Sequence, residues 1–324
     1  MNIRYPNFDL LRLLLAVEVA FVHGWAMTDT AFNWAGFIMA VPAFLAISGF
    51  LVLKSYEESG TWGVFIRKRA LRLLPALLVS LILCWVLFDW FAVYNSLLNW
   101  ITGGLFTLPG VANGPLWSLM WEELAYICLA LLWMAGAYKR RAIIWLLLAI
   151  SFAIVYWGRV LDGHTQMILF LLPSFFIGNL AYLHRTTLLK VHPVIPWVLL
   201  FSVIFSNQIP YFGQLVQLSP VGFQAFAIVW VGMAGLNVAP FRFPDISYSV
   251  YIYHMPLVIY LIRHDIATTT SSMAIWLPLP LLAICLVSWY LVEKPALKLK
   301  PLRKTTTTSK LEAGDAELIK ERVA

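Results

Sequence analysis

Apolar runs of about 18 to 22 residues recur along the chain, and no other feature restricts its fold as strongly. A run of this length, wound as an α-helix, crosses the roughly 30 Å hydrocarbon layer of a membrane. The composition agrees, because 61% of the 324 residues are hydrophobic and only 12% are charged. The sequence therefore predicts an all-α polytopic membrane protein, and it argues against a soluble enzyme with a single anchor.

The apolar runs predict a bundle of about ten transmembrane helices. Their expected ranges are 8–27, 34–53, 71–90, 116–136, 142–158, 166–183, 194–209, 218–237, 247–263 and 273–292. Residues 97–108 are also apolar but too short to span, so we expect a re-entrant or interfacial segment there. The three cysteines lie inside apolar runs without the spacing of metal ligands, and no metal is predicted.

Lysine and arginine are distributed unevenly between the predicted loops. Of the 23 such residues, 20 lie in loops and tails on the side of the N-terminus, and two lie on the opposite side. Because positively charged loops remain in the cytoplasm, both termini are predicted to be cytoplasmic. The net charge of +7 is explained by this topology, so no nucleic-acid partner is expected. Residues 298–324 are polar and are expected to form a disordered cytoplasmic tail.

The first predicted span carries ionisable side chains, each costing about 2.5 to 3.5 kcal/mol at the centre of a bilayer. Arg12 and His23 are eleven residues apart, which places them on one helical face about 16 Å apart along the axis. An intramembrane histidine on the same face as an arginine is a functional candidate. For Asp9 and Glu18 we favour salt bridges, within the helix or to another helix.

A basic cluster precedes the third predicted span. Arg67, Arg69 and Arg72 lie at its cytoplasmic end, and the guanidinium groups of Arg69 and Arg72 can converge because these residues are three positions apart. One interpretation is ordinary cytoplasmic charge that contacts lipid headgroups. The other is a phosphate site, because the arginine fork matches phosphate oxygens.

Two further stretches place polar groups inside spans. Glu122 lies about two turns into the fourth span, where it can orient an imidazole or accept a proton. Tyr248, Tyr251 and His254 recur every three residues along the ninth span and share one face. Hydrogen bonds between helices explain that second pattern equally well, so it does not by itself indicate a site.

Together and in this order, these stretches resemble the acyltransferase-3 family of membrane acyltransferases, which includes O-acetylases of bacterial surface polysaccharides. The resemblance runs from about residue 7 to residue 297. The matching motifs are Arg12 followed after ten positions by His23, "VPAFLAISGFLV" with Ser48, "FIRKRALRLLP", "LWSLMWEELAY" with Glu122 and Tyr126, "ISYSVYIYHMP" with Tyr251 and His254, and "VEKP". Residues 1–297 are thus expected to form one acyltransferase-3-like membrane domain.

The resemblance implies an O-acyltransferase that moves an acyl group, most often acetyl, from cytoplasmic acetyl-CoA to a hydroxyl of a cell-surface carbohydrate on the outer side. His23 would act as general base or as transient acyl carrier, and Glu122 would orient or stabilise it. CoA phosphates would bind Arg67, Arg69 and Arg72. Arg12 would bind CoA or stabilise negative charge. Supporting or substrate-binding roles would fall to Ser48, Tyr126, Tyr251 and His254.

The resemblance also implies a setting and partners. We expect a multi-pass protein of the bacterial inner (cytoplasmic) membrane, in contact with lipid, acyl-CoA and a glycan acceptor. Some family members carry an additional esterase-like domain that is not found in this sequence, so the membrane domain would act alone or pass the acyl group to a separate periplasmic transferase. The alternative function is a secondary transporter or channel for an anionic solute, which predicts an inverted repeat. A scaffold role predicts that replacing His23 is harmless.

Overall fold

A computed structural model describes residues 5–28, 36–158, 161, 163–207, 218–235 and 244–299. These residues form helices joined by turns and short 3₁₀ and π-helical segments. In chain order the α-helices are α1 (Pro6–Thr28), α2 (Ala40–Ser59), α3 (Trp62–Leu87), α4 (Trp90–Ile101), α5 (Trp117–Met134), α6 (Arg141–Trp157), α7 (Gly163–Leu183), α8 (Arg185–Leu188), α9 (Val194–Asn207), α10 (Leu218–Trp230), α11 (Ser247–Arg263), α12 (Thr270–Trp276), α13 (Pro278–Ser288) and α14 (Lys294–Lys298).

Six helical segments among the described residues are long and apolar enough to cross a membrane, which confirms an all-helical, multi-pass architecture. They are Asn7–Thr28, Ala40–Ser59, Trp62–Leu87, Gly114–Met134, His164–Leu183 and Thr270–Lys298. The other four predicted spans coincide with the shorter helices α6, α9, α10 and α11. The predicted count of about ten and the predicted orientation of the termini therefore remain predictions. The predicted tail from residue 300 onward lies outside the described residues.

The predicted boundaries of the second and third spans differ from the structure. Helix α2 begins six residues later than expected, and α3 begins nine residues earlier, at Trp62. The hydroxyl of Thr61 accepts a hydrogen bond from the backbone N–H of Val64 and so caps α3. The basic cluster therefore lies on the first turns of a helix and not in a loop. Hydropathy alone could not show this, because charged residues do not interrupt a helix.

Helix α4 is the apolar segment that is too short to span. It begins after Asp89, whose carboxylate accepts a hydrogen bond from the backbone N–H of Ala92. One face of α4 carries the buried side chains of Asn95 and Asn99, and the other exposes large rings such as Trp90 to the surroundings. This amphipathic pattern agrees with an interfacial helix.

Helices α2 and α7 form the most extensive helix pair among the described residues, because glycine allows their backbones to meet. A Cβ atom added to Gly178 would lie 2.1 Å from the carbonyl oxygen of Ala46. One added to Gly49 would lie 2.3 Å from the carbonyl oxygen of Phe175. Since Gly49 follows Ser48, this crossing also fixes the position of the Ser48 side chain.

Glu18 is held differently from the expected salt bridge. Its carboxylate accepts hydrogen bonds from the backbone N–H groups of Phe37 and Ile38, the latter at 3.1 Å. These residues lie just before α2, so Glu18 ties α1 to the entry of the next helix. Two backbone donors satisfy the charge in place of a basic side chain.

Replacing Gly178 with alanine is expected to force α2 and α7 apart and to lower the thermal unfolding midpoint in detergent, with a stability loss of about 1 to 3 kcal/mol. The control is Gly63→Ala, because Gly63 is helical and a Cβ there meets nothing within 4 Å. That change should be neutral or slightly stabilising. Equal midpoints for the two variants would show that the helix crossing does not depend on glycine.

Candidate active site

Helices α1 and α11 pack in parallel and are joined at two levels. At one level a guanidinium nitrogen of Arg12 lies 3.5 Å from a carboxylate oxygen of Asp245, just before α11. At the other, Nδ1 of His23 lies 2.8 Å from Nε2 of His254. The expectation that Arg12 and His23 share one face is therefore met, and the facing helix is α11.

The hydrogen bonds of the two histidines define their tautomers. Nδ1 of His254 lies 3.2 Å from the carbonyl oxygen of Val250. A carbonyl only accepts, so Nδ1 of His254 carries a proton and, in the neutral ring, its Nε2 is an acceptor. His23 must then donate from Nδ1, and the lone pair of its own Nε2 has no hydrogen-bond partner among the described residues. The ring centroids are 5.1 Å apart and the ring planes differ by 17°.

Asp245 is the functional candidate that the sequence analysis missed. One of its carboxylate oxygens lies 2.6 Å from a guanidinium nitrogen of Arg72 and accepts from Arg12 as well. The other oxygen accepts a 2.7 Å hydrogen bond from the hydroxyl of Ser247. Burial alone would raise the pKa of Asp245, but the charges of Arg72 and Arg12 hold that pKa well below the usual range for a carboxyl. Asp245 is therefore an ionised bridge between two arginines.

A spacing in the sequence could have indicated this bridge. Asp245 precedes His254 by nine positions, and Arg12 precedes His23 by eleven. Two parallel helices with these similar spacings can be joined at both ends. The inference requires knowledge of which helices are neighbours, and a single sequence does not contain that information.

Glu122 belongs to a second cluster. Its carboxylate accepts a 2.6 Å hydrogen bond from the hydroxyl of Ser48 and another from the phenol of Tyr126. In the structure the Glu122 carboxylate therefore pairs with Ser48 of α2 and with Tyr126 of its own helix, α5. The partner expected from the sequence was His23. The group that orients His23 is His254. The reason is geometric, since α11 and not α5 lies against the histidine end of α1.

The basic cluster is divided among three environments. Arg72 pairs with Asp245, and Arg67 is exposed. Arg69 turns inward, where a terminal nitrogen donates to the hydroxyl of Ser55 at 3.1 Å and the guanidinium lies over the ring of Tyr126 at 5.9 Å. Its buried Nε has no hydrogen-bond partner among the described residues. The side chains of Arg69 and Arg72 thus have different partners, Ser55 and Asp245, and the Nε of Arg69 remains a donor for a ligand.

A small, partly open cavity lies next to several of these groups. Arg12 and Ser247 line it toward the Asp245 bridge, and Glu122 lines the wall. Tyr251 also lines it, with its hydroxyl 2.8 Å from that of Ser118 and its ring against the ring of His254 at a centroid distance of 6.2 Å. The cavity is thus lined by Arg12 of the arginine bridge and by Tyr251, whose ring contacts His254, while neither His23 nor His254 is among its lining residues.

These features describe a membrane helix bundle with arginines near one end of α1, a cavity that contains Arg12 and Glu122, and an imidazole whose Nε2 has no hydrogen-bond partner among the described residues. Such a set suits transfer of a group from an anionic donor to a hydroxyl. Residues 5–293 match the family described as Acyltransferase domain. The chain belongs to this family, the acyltransferase-3 family that the motifs indicated, and it is an acyltransferase.

Two curated relatives extend the comparison. Nodulation protein 10 of Rhizobium leguminosarum bv. viciae is 26% identical over 352 residues, which cover 91% of this chain and 94% of that protein. An O-acetyl transferase of Shigella phage Sf6 is 28% identical over 328 residues, which cover 89% and 94% respectively. Both similarities extend over almost the whole membrane part and support a membrane O-acyltransferase. No solved structure matches the chain.

Replacing Asp245 with asparagine is expected to lower stability by roughly 2 kcal/mol, because two guanidinium groups lose their shared carboxylate. The measurement is the thermal unfolding midpoint of the purified protein in detergent. Asp265→Asn is the matched control, since Asp265 is exposed in the turn after α11 and has a positive φ of 55° that asparagine tolerates. A midpoint equal to that of the control would contradict the bridge.

Proposed function

We propose that this chain is a membrane O-acetyltransferase that moves an acetyl group from cytoplasmic acetyl-CoA to a hydroxyl of a cell-surface carbohydrate on the opposite side. The observation that carries the proposal is the available Nε2 of His23, held by the hydrogen bond of Nδ1 to His254. A nitrogen fixed in this way can accept the proton of a hydroxyl without first reorienting. The O-acetyl transferase of the phage supports acetyl as the transferred group.

The donor would bind at the arginine end of the cavity. CoA is anionic, and the residues present fit its phosphates. Arg69 offers an Nε without a hydrogen-bond partner among the described residues, and Arg72 offers a guanidinium that pairs with Asp245 and is not fully buried. Arg67 would contribute long-range attraction from the surface. From there the pantetheine arm would follow the cavity past Arg12 and Tyr251 toward His23, a distance of about 16 Å along α1.

The proposed reaction is a direct transfer. The acceptor oxygen attacks the thioester carbonyl carbon, and Nε2 of His23 removes the hydroxyl proton as the new C–O bond forms. The C–S bond then breaks, and the CoA thiolate leaves with the proton that His23 returns. In the alternative that uses the same lone pair, Nε2 attacks the acyl carbon, the C–S bond breaks and CoA leaves as the thiolate. The acceptor oxygen then attacks the acyl carbon, the C–N bond to His23 breaks, and the hydroxyl proton goes to the thiolate. Arg12 would stabilise charge on the donor, and Glu122 and Ser48 would shape the cavity wall, with the phenol of Tyr126 holding the Glu122 carboxylate.

The sidedness of the proposal rests on the distribution of charge. Most lysines and arginines lie in the predicted loops on the side of the N-terminus, which the positive-inside rule assigns to the cytoplasm. The arginine end of α1 would then face the cytoplasm and the supply of acetyl-CoA. His23, near the other end of α1, would meet an acceptor from outside in the bacterial inner membrane. A separate periplasmic transferase would be needed only if the acceptor cannot reach that end.

The test follows radiolabelled acetyl from acetyl-CoA into glycan, in membranes that contain equal amounts of the native protein or a variant. His23→Ala is expected to reduce transfer by about 10²- to 10⁴-fold, because it removes the general base. His264→Ala is the control, since His264 is exposed at the end of α11. It should leave transfer unchanged.

Two outcomes would contradict the proposal. Undiminished labelling with His23→Ala would exclude His23 from the chemistry and make Glu122→Gln the next variant. Failure of the native protein to label any glycan, together with flux of an anionic solute into vesicles, would favour the transporter alternative.

A further inference from the structure

Helix α11 contains a carbonyl that the helix itself cannot satisfy. Residue 256 is proline, so it has no backbone N–H to donate to the carbonyl of Ile252, four residues earlier. The side-chain amide of Asn113 supplies the missing donor, with its Nδ2 2.9 Å from that carbonyl oxygen. Both residues are fully buried, at 0% exposure. The pair is therefore a built contact in the interior of the bundle.

The contact lies beside the histidine pair. Ile252 is two residues before His254, and Val250, whose carbonyl holds Nδ1 of His254, is two residues before Ile252. Asn113 immediately precedes the 3₁₀ turn Gly114–Leu116 that leads into α5. The amide thus fastens the start of α5 to the turn of α11 that carries His254.

The geometry points to Asn113 as a positioning residue for acyl transfer: by holding the carbonyl of Ile252 it sets the orientation of His254, and through it the direction of Nε2 of His23. This inference rests on the proposed function. Satisfying the Ile252 carbonyl stabilises the bundle, but an asparagine does so at the cost of a second buried polar atom. Its Oδ1 is buried without a hydrogen-bond partner among the described residues, and such an atom is unfavourable in an apolar interior.

The alternative is a purely structural role, in which Asn113 only stabilises the loop that follows α4. Asn99 supports this reading, since its side chain donates to the backbone carbonyls of Asn113 and Gly114. Asn95 provides the matched comparison. It binds the backbone of Leu108 and Pro109 in the same loop and belongs to neither the histidine pair nor the cavity.

Replacing Pro256 allows a decisive test of this inference. In Pro256→Ala the backbone N–H of residue 256 returns and can donate to Ile252, so the amide of Asn113 becomes dispensable. The experiment compares the native full chain with Asn113→Ala, Pro256→Ala, the double variant and Asn95→Ala. One readout is acetyl transfer. The other is the pH midpoint for modification of His23 by diethyl pyrocarbonate, which attacks an unprotonated imidazole nitrogen and is followed by mass spectrometry.

Asn113→Ala is expected to lower the turnover number at least about tenfold with the KM for acetyl-CoA unchanged, because the donor site is at the other end of the cavity. It should also move the pH midpoint of His23. The double variant should recover both values to those of Pro256→Ala, and Asn95→Ala should alter neither. If Asn113→Ala does not accumulate, equality of the double variant with Pro256→Ala is the decisive result.

The inference is overturned if the double variant remains as impaired as Asn113→Ala, or if Asn95→Ala moves the midpoint of His23 equally. Its failure is distinguishable from failure of the proposed function. If the native protein transfers no acetyl group, the proposed function is wrong, and the midpoint of His23 still decides whether Asn113 orients the histidine pair.

Discussion

The parallel contact of α1 with α11 is the constraint on which the candidate site depends. The two helices are joined at one end by the ion pair of Asp245 with Arg12 and at the other by the hydrogen bond between His23 and His254. Buried charges and imidazoles are tolerated in a membrane bundle only when they satisfy one another. The polar groups of α1 therefore determine which helix can lie against it, and the cavity lies beside Arg12 at the arginine end of this contact.

The rest of the bundle supports this contact in two ways. Two helix backbones approach closely at glycines, and a side chain supplies a hydrogen bond that a proline removes from a helix. Gly49 and Gly178 bring α2 against α7, which presents Ser48 to Glu122. Pro256 interrupts the hydrogen bonding of α11 next to His254, and Asn113 repairs the interruption from the start of α5. In both places a residue that weakens an isolated helix permits a contact between helices.

Much of this could be predicted from the sequence because its causes are local. Run length and charge bias indicate membrane helices, and the eleven-residue spacing of Arg12 and His23 places both on one face whatever lies opposite. The motifs indicated the family, which the match over residues 5–293 confirms. The predicted site roles remain predictions, although the structure does bring His23 to His254 and Glu122 to Ser48 and Tyr126.

What the sequence could not supply depends on which helices are neighbours. Asp245 has no local pattern that marks it, and its role follows only when α11 lies against α1 and α3. The resemblance implied that Glu122 would orient His23, but in the structure the Glu122 carboxylate accepts from Ser48 of α2 and from Tyr126. Spacing along one helix does not determine its partner.

The most direct test is an experimentally determined structure of the protein with CoA bound in a lipid nanodisc. The account predicts phosphates at Arg69 and Arg72, Asp245 displaced from at least one arginine, and the sulfur within roughly 4 Å of Nε2 of His23. A CoA whose sulfur lies away from this nitrogen, with the hydrogen bond between His23 and His254 undisturbed, would contradict the assignment of His23 to the chemistry.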